Sequence, residues 1–580
     1  MRCSALVGYG VAAQLLAVAL GCSLPRAQAQ AQDEESPTVA KPSTPVRERV
    51  AAGPGPGRGD HFPLAYARAR GQRLDNREAP IPIQCYTKTA GVSNPCWTCH
   101  TQSSYPNLRD DTELQVEYSF SEYGKQNRWA NLFVDHRPAI DAIADDEALA
   151  WVREDNYSPL RELLRGQMNE WAYGFDLDFH AGFGDDGFAK DGSDWRAFRY
   201  KPFPGTFWPT NGSTDDVLVR LPASFRSEGG ARALEVYKAN LALVEASLAS
   251  DPRLADAAVV WPIEAIDERV IDHDLDRDGT LATATVLRGL PAHYLGDARE
   301  HPLLRGTYPA GTEFIHSVRY LDPDGDALIS TRMKELRYLR KEREVSRERY
   351  FSAYEGEAQE KFEGRLPLYG GNAETGLINN LGWRVQGYIE DEKGRLRLQS
   401  YEEHYACMGC HSSIGVTADS TFSFARKLPG AEGWGYQDLR DIPDVPQLGH
   451  PDPEVLTYLR RVGGGDELRA NTEMIARFFP GGVLDEAEVR RAAPGGDRSL
   501  PHLVVPSRAR ALQLDKAYMV LVREQSFERG RDVVIDPPAN VHARIDVVPT
   551  GLVEAERVYR DGTIRLDWSA TSLWLAAAGG

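Results

Sequence analysis

Cys96-Trp97-Thr98-Cys99-His100 stands in the first fifth of a 580-residue chain, and Cys407-Met408-Gly409-Cys410-His411 repeats its pattern 311 residues later. The spacing has a chemical reason. Two thiols three positions apart can each add across a vinyl group of one porphyrin, and the His that follows is held beneath the ring, where its imidazole meets the iron. The two segments predict two covalently attached c-type haems on Cys96, Cys99, Cys407 and Cys410, with His100 and His411 as proximal iron ligands. A four-Cys zinc site built from two such knuckles leaves the His after each pair unexplained. A thioredoxin-like thiol pair gives no reason for two copies, each followed by His. The separation also decides the architecture. Tandem small cytochrome modules would repeat the motif at a much shorter interval, so the expected fold class is α+β, one large mixed body with irregular loops around both haems.

Composition sets the outer bounds. With 42% hydrophobic and 26% charged residues the chain is neither collagen, coiled coil nor wholly disordered. A formal net charge of −18 argues against nucleic acid as a partner and for a partner with a basic docking face.

The first thirty residues read as an address. Arg2, an apolar run from Ala5 to Leu20 and the triplet Ala27-Gln28-Ala29 make a secretory signal peptide over residues 1–29. Leu20-Gly21-Cys22 offers a competing lipoprotein-type site and a lipid anchor at Cys22, although the leucine usual in such sites would fall where Ala19 stands. Residues 30–60, rich in Ala, Pro, Gly and charge, read as a disordered tether. No later stretch is apolar enough to span a membrane, so the expected location is the periplasm, with no transmembrane segment after signal removal.

Together these features resemble the dihaem and multihaem c-type cytochromes of bacterial periplasms, a resemblance carried by the two pentapeptides alone. It implies single-electron transfer between donor and acceptor proteins. The second reading is a dihaem oxidoreductase of the peroxidase or oxygenase kind, with one open-coordination haem. A structural zinc protein is the third.

Distal ligands would separate carrier from catalyst. In the His/Met cytochromes Met follows the motif by some sixty residues, which singles out Met168 and Met474; His136 and His450 offer a bis-His alternative. His61, His180, His316, His404 and His542 are further exported candidates, and Cys85 is left over as a buried small residue.

The remaining chain divides into a first haem segment with an aromatic-rich loop (61–260), a β-rich segment plus a charged helix (261–400), a second haem segment (401–450) and a C-terminal α+β segment (451–580). The aromatics between Trp171 and Pro222 read as a cap over a haem edge or as an insertion burying its own rings. Asp274, Asp276, Asp278 and Thr280 match the ligand positions of an EF-hand-type calcium loop, but Thr285 stands where its glutamate belongs, which favours an Asp-rich hairpin turn. Asp322-Pro323-Asp324-Gly325-Asp326 is a weaker copy. A charged helix is expected from Arg332 to about Phe362, and hairpin strands from Gly382. Helices are expected near 455–478 and 507–516, with strands at Tyr518–Glu524, Ala543–Val548 and Thr563–Trp568.

Overall fold

The computed structural model describes residues 61–88, 95–101, 111–165, 173–363, 365, 368–412, 414–463, 471–546, 549–551, 559–560 and 562–574. The signal, the tether, Cys22, Met168 and Trp171 lie outside them. Phe62–Gly580 forms one compact unit. Its centre is an eight-stranded antiparallel sheet. In spatial order the strands are Arg196–Ala197, Thr214–Arg220, Glu313–Leu321, Ile329–Lys341, Trp383–Glu390, Gly376–Ile378 and Gly370–Asn372, with Leu396–Leu398 pairing to Trp383–Glu390 as a hairpin. The protein is therefore mixed α+β around a large antiparallel sheet.

The expected helix from Arg332 begins instead as the long strand Ile329–Lys341; only Arg347–Phe362 is helical. The charge pattern misleads because almost every residue of that strand is buried and its charges are paired inside the protein. Arg332 meets Glu390 at 3.0 Å, Arg337 meets Glu335 at 2.9 Å and Lys341 meets Asp419 at 2.6 Å. Tyr518–Glu524 is likewise no strand but the second half of the helix Arg508–Glu524, which Ser507 caps through the Arg510 amide. Its β-rich composition yields to helical continuity and to burial on all sides, since Ala517 to Val522 are buried without a break. Thr563–Trp568 and the described part of Ala543–Val548 contribute isolated bridges, such as Gln447 with Leu566 and Gln126 with Arg544, rather than strands. The expected β-rich segment supplies the strands Thr283–Arg288 and Glu313–Leu321, and the hairpin from Gly382 and the helices Glu454–Val462 and Thr472–Phe478 are present. The Asp322 turn joins two strands, and its carboxylates are taken by arginines, Asp322 by Arg153 at 2.7 Å and Asp324 by Arg508 at 2.7 Å.

Two contacts join the motif-bearing segments across the sequence. The Val416 amide donates to the Cys99 carbonyl at 3.2 Å. Gly409 packs so tightly on Pro80 that a Cβ there would lie 1.9 Å from the Pro80 carbonyl oxygen. Nearby, a fully buried ion network ties the loop after the second motif to the C-terminal helices. Arg426 donates to both oxygens of Glu454 at 2.9 and 2.6 Å, and Lys201 pairs with Glu454 and with Asp444.

Burial alone would raise the Glu454 carboxyl, but Arg426 and Lys201 outweigh it and hold it at about 2. Removing one partner from such a network strands a buried charge, so Glu454→Ala should cost about 3–5 kcal/mol in urea unfolding. The stabilisation from Glu454 is complete above its ordinary value of 4.5 and should fade as pH drops toward 2 in thermal unfolding scans. Gly409→Ala forces backbone apart and should lower stability by about 1–3 kcal/mol, whereas substitution at Gly481, with open space beside it, should leave the motif contact intact.

Candidate functional site

Both Cys-x-x-Cys-His segments are helical turns. Cys96–Cys99 is a single turn after Pro95, closed by the His100 amide on the Cys96 carbonyl at 2.8 Å. The second follows the helix Tyr401–Cys407, which starts in a capping box between Ser400 and Glu403, and the His411 amide returns to the Cys407 carbonyl at 3.0 Å. One helical turn brings residues i and i+3 to one face, so each thiol pair points the same way.

Each segment fronts a cavity. Cys407, Cys410 and His411 line one of about 260 Å³. Cys96, Cys99 and His100 line another of about 310 Å³. The two adjoin, because Pro82, Phe203, Gly205, Cys410 and Phe422 belong to both walls. Apolar walls with a few placed polar groups are the usual character of a cofactor site.

The floor of the smaller cavity is one face of the central sheet. Asp215 and Val217, then Phe314, His316 and Val318, then Glu335, Arg337 and Leu339 all line it, at alternate positions of three neighbouring strands. Val217, His316 and Arg337 lie opposite one another in register. The aromatic-rich stretch divides. Tyr200, Phe203 and Phe207 line this cavity. Phe175, Phe179, Phe183 and Trp195 instead pack on the other core cluster, and Trp208 on a third. Part of the stretch thus lines the cavity and part buries its rings in the core.

The motif histidines are oriented through one ring nitrogen. His100 Nδ1 lies 3.0 Å from Asp111 Oδ2, and His411 Nδ1 lies 3.1 Å from the Ser420 carbonyl. Such partners fix the ring and leave its second nitrogen for a metal. Burial, with the nearby charges of Arg337 and His316, pushes His411 down to about 3, so its imidazole is neutral. Burial also pushes the Cys99 thiol up, and the Cys410 thiol up to about 11.

Of the four leading distal candidates Met168 lies outside the described residues, and the structure does not bring the other three to these cavities. His450 packs on Tyr559, whose hydroxyl lies 2.6 Å from its Nε2. His136 is buried with Nδ1 3.2 Å from the Val534 carbonyl, and Met474 is buried in the C-terminal core. None of the three lines either cavity. Each stands at a sequence interval from its motif that carries no information about where a long intervening chain returns. His404 uses both ring nitrogens, on the Ser400 carbonyl and the Gly387 amide, and His180 sits on Asp155. Cys85 does line the larger cavity, beside Cys99.

At the Asp-rich loop, Glu268, Asp274 and Asp276 bring carboxylate oxygens within 4.8 Å of one another, so Glu268 rather than a residue at position 285 completes the acidic group. The Asp278 carboxylate is not part of that group, although the Asp278 amide donates to Asp276 at 3.1 Å. Much of the loop's oxygen is already used: Asp274 accepts from the Gly279 amide at 3.0 Å, Asp278 from the Thr280 amide at 2.7 Å, and Glu268 from Leu275, Asp276 and Ala282. The loop connects the antiparallel strands Val260–Asp267 and Thr283–Arg288, as a hairpin turn would.

The sequence does not single out Asp111, Asp215 or the alternating cavity floor, whereas Phe203 belongs to the aromatic stretch that it does single out. The signal that could have found the floor is the period-two pattern Phe314-x-His316-x-Val318 facing Glu335-x-Arg337-x-Leu339.

No solved structure matches this chain. A lipoprotein family model matches residues 69–444, well over half of the chain. A curated protein of Aquifex aeolicus (strain VF5), described as an uncharacterized lipoprotein, is 31% identical over 517 residues, covering 79% of this chain and 86% of the relative. These matches overturn the resemblance to dihaem c-type cytochromes, and with it the reading as a periplasmic electron carrier or a peroxidase- or oxygenase-like dihaem oxidoreductase. The physical reason is plain: two pentapeptides describe attachment chemistry, and attachment chemistry fixes neither fold family nor activity. No described helix is long and apolar enough to cross a membrane. By the extent of the family match and by likeness along most of both chains, this protein belongs to that lipoprotein family.

Proposed function

We propose that this lipoprotein is a scaffold for two covalently held haems, one in each of the adjoining cavities. Electron transport and oxidoreductase turnover are not assigned to it. The observation that carries this reading is convergence: two segments 311 residues apart each present a thiol pair and an anchored imidazole to the wall of a largely apolar cavity, and the cavities share Cys410. The donor set fits the group. Cys96 and Cys99 would hold one porphyrin and Cys407 and Cys410 the other, with His100 and His411 as axial nitrogen ligands. When bound, haem supplies an iron centre whose properties follow its axial ligands and the polarity around it. The chain's own part is to orient the imidazoles through Asp111 and the Ser420 carbonyl, to exclude water with Phe203 and Phe422, and to line the wall with Arg337 and Arg531, both paired with Glu335. A zinc site is less well supported, because no cysteine or histidine belongs to the metal-sized groups of three or more found among the described residues.

For location, we propose that Cys22 carries the lipid, so that cleavage falls before Cys22 rather than after Ala29, and that the body from Phe62 stands on the periplasmic side of a membrane. Support comes from the family and from Leu20-Gly21-Cys22 at the end of the apolar run. Partners with a basic docking face remain in keeping with the net charge.

Two experiments test this reading. Protein purified from a host able to mature c-type haem should keep its haem through denaturation, with intact mass raised by two haem groups. The double variant Cys96→Ala/Cys99→Ala should lose one and Cys407→Ala/Cys410→Ala the other, whereas a wild-type mass equal to the bare chain contradicts the proposal. Separately, Cys22→Ser should abolish fatty-acid labelling and move the protein from the membrane to the soluble fraction. Unchanged labelling would place the anchor elsewhere.

A further inference from the structure

The cavity fronted by Cys407, Cys410 and His411 holds a second imidazole that no motif announces. Of the 13 histidines in the chain, His316 and His411 are the two that line this cavity among the described residues. They reach it from different elements. His411 comes from the turn after the helix Tyr401–Cys407, and His316 from the middle of the fully buried strand Glu313–Leu321. His316 is held as a metal-binding histidine is held. Its Nε2 lies 3.0 Å from Asp215 Oδ2 on the neighbouring strand, and Phe207 packs edge-on against the ring at 5.3 Å between centroids. A carboxylate on one ring nitrogen fixes the tautomer, raises the basicity of the other nitrogen and leaves that nitrogen for a metal. His100 meets Asp111 at the same 3.0 Å but through Nδ1, so the ring nitrogen left over is Nε2 in His100 and Nδ1 in His316. Among the described residues no methionine lines this cavity, and His316 and His411 are the two imidazoles on its wall. Among the described residues the wall of the larger cavity holds His100 with Met408 and Cys85, and His100 is its one histidine.

We propose that His316 is the second axial ligand of the iron at this cavity and that Asp215 is its positioning residue. The assignment rests on the reading of the cavity as a haem site. It makes the two centres unequal: bis-imidazole at Cys407-Cys410-His411, and a different sixth ligand, or none from histidine, at Cys96-Cys99-His100.

The test uses the full haem-loaded protein and electron paramagnetic resonance with optical spectra of the ferric and ferrous forms. The wild type should show one low-spin centre of bis-imidazole character. His316→Ala should keep both covalent haems by mass but convert that centre to high spin and open it to carbon monoxide, and added imidazole should restore the low-spin signal. Asp215→Asn should keep the centre low-spin while shifting its g-values, a change that a merely structural aspartate would not cause. Two haems with no bis-imidazole signal in the wild type overturn the assignment while leaving the proposed cofactor standing. So does a His316→Ala protein with unaltered spectra. A wild type lacking covalent haem overturns both. Should His316→Ala fail to fold, the wild-type spectrum and His316→Met, which should stay six-coordinate with a thioether signature, decide the matter.

Discussion

The Pro80 carbonyl lies against Gly409 so closely that no side chain fits between them, and the site depends on that approach. It draws the segment at 79–86 over the second motif, where Pro82 and Gln84 become walls of both cavities. The Val416 amide on the Cys99 carbonyl binds the first motif to the loop beyond the second. A few backbone contacts thus turn two remote pentapeptides into neighbours. Loop-closure cost grows only slowly with loop length, so even this long separation is inexpensive once the intervening sheet is folded for its own reasons.

That sheet carries an unusual electrostatic load. Its central strands bury Arg319, Arg332, Lys334, Arg337 and Lys341; Arg337 pairs with Glu335 on its own strand, and the other four find acceptors on other elements. Buried pairs contribute little net stability over apolar packing, but they punish misregister severely, because a one-residue slip would strand the charges whose partners lie on other elements. The register is what sets Val217, His316 and Arg337 in a row beneath the cavity. Specificity of strand pairing and construction of the site are then the same fact seen at two scales.

Legibility in the sequence followed the range of the interactions. The motif turns, the hairpin near 383–398 and the capped helices were readable because their causes are local. The strand Ile329–Lys341 was not, because its charges signal solvent unless their distant partners are known. His450, His136 and Met474 drew attention by interval alone, and interval is meaningless when a sheet intervenes. His316 could be named only as one histidine among many. Its meaning comes from Asp215, about a hundred residues away in sequence and 3.0 Å away in space. The family was not legible at all from ten motif residues, since the same attachment chemistry can be set into unrelated bodies.

The central claim is that each cavity holds an iron-bearing group fixed to its own thiols. Elemental analysis of the purified, lipidated protein, calibrated against quantitative amino-acid analysis, addresses it without assuming any spectrum or activity. The account predicts two atoms of iron per chain and no stoichiometric zinc. A chain from a haem-maturing host that contains no iron, or one that carries zinc in its place, would contradict it.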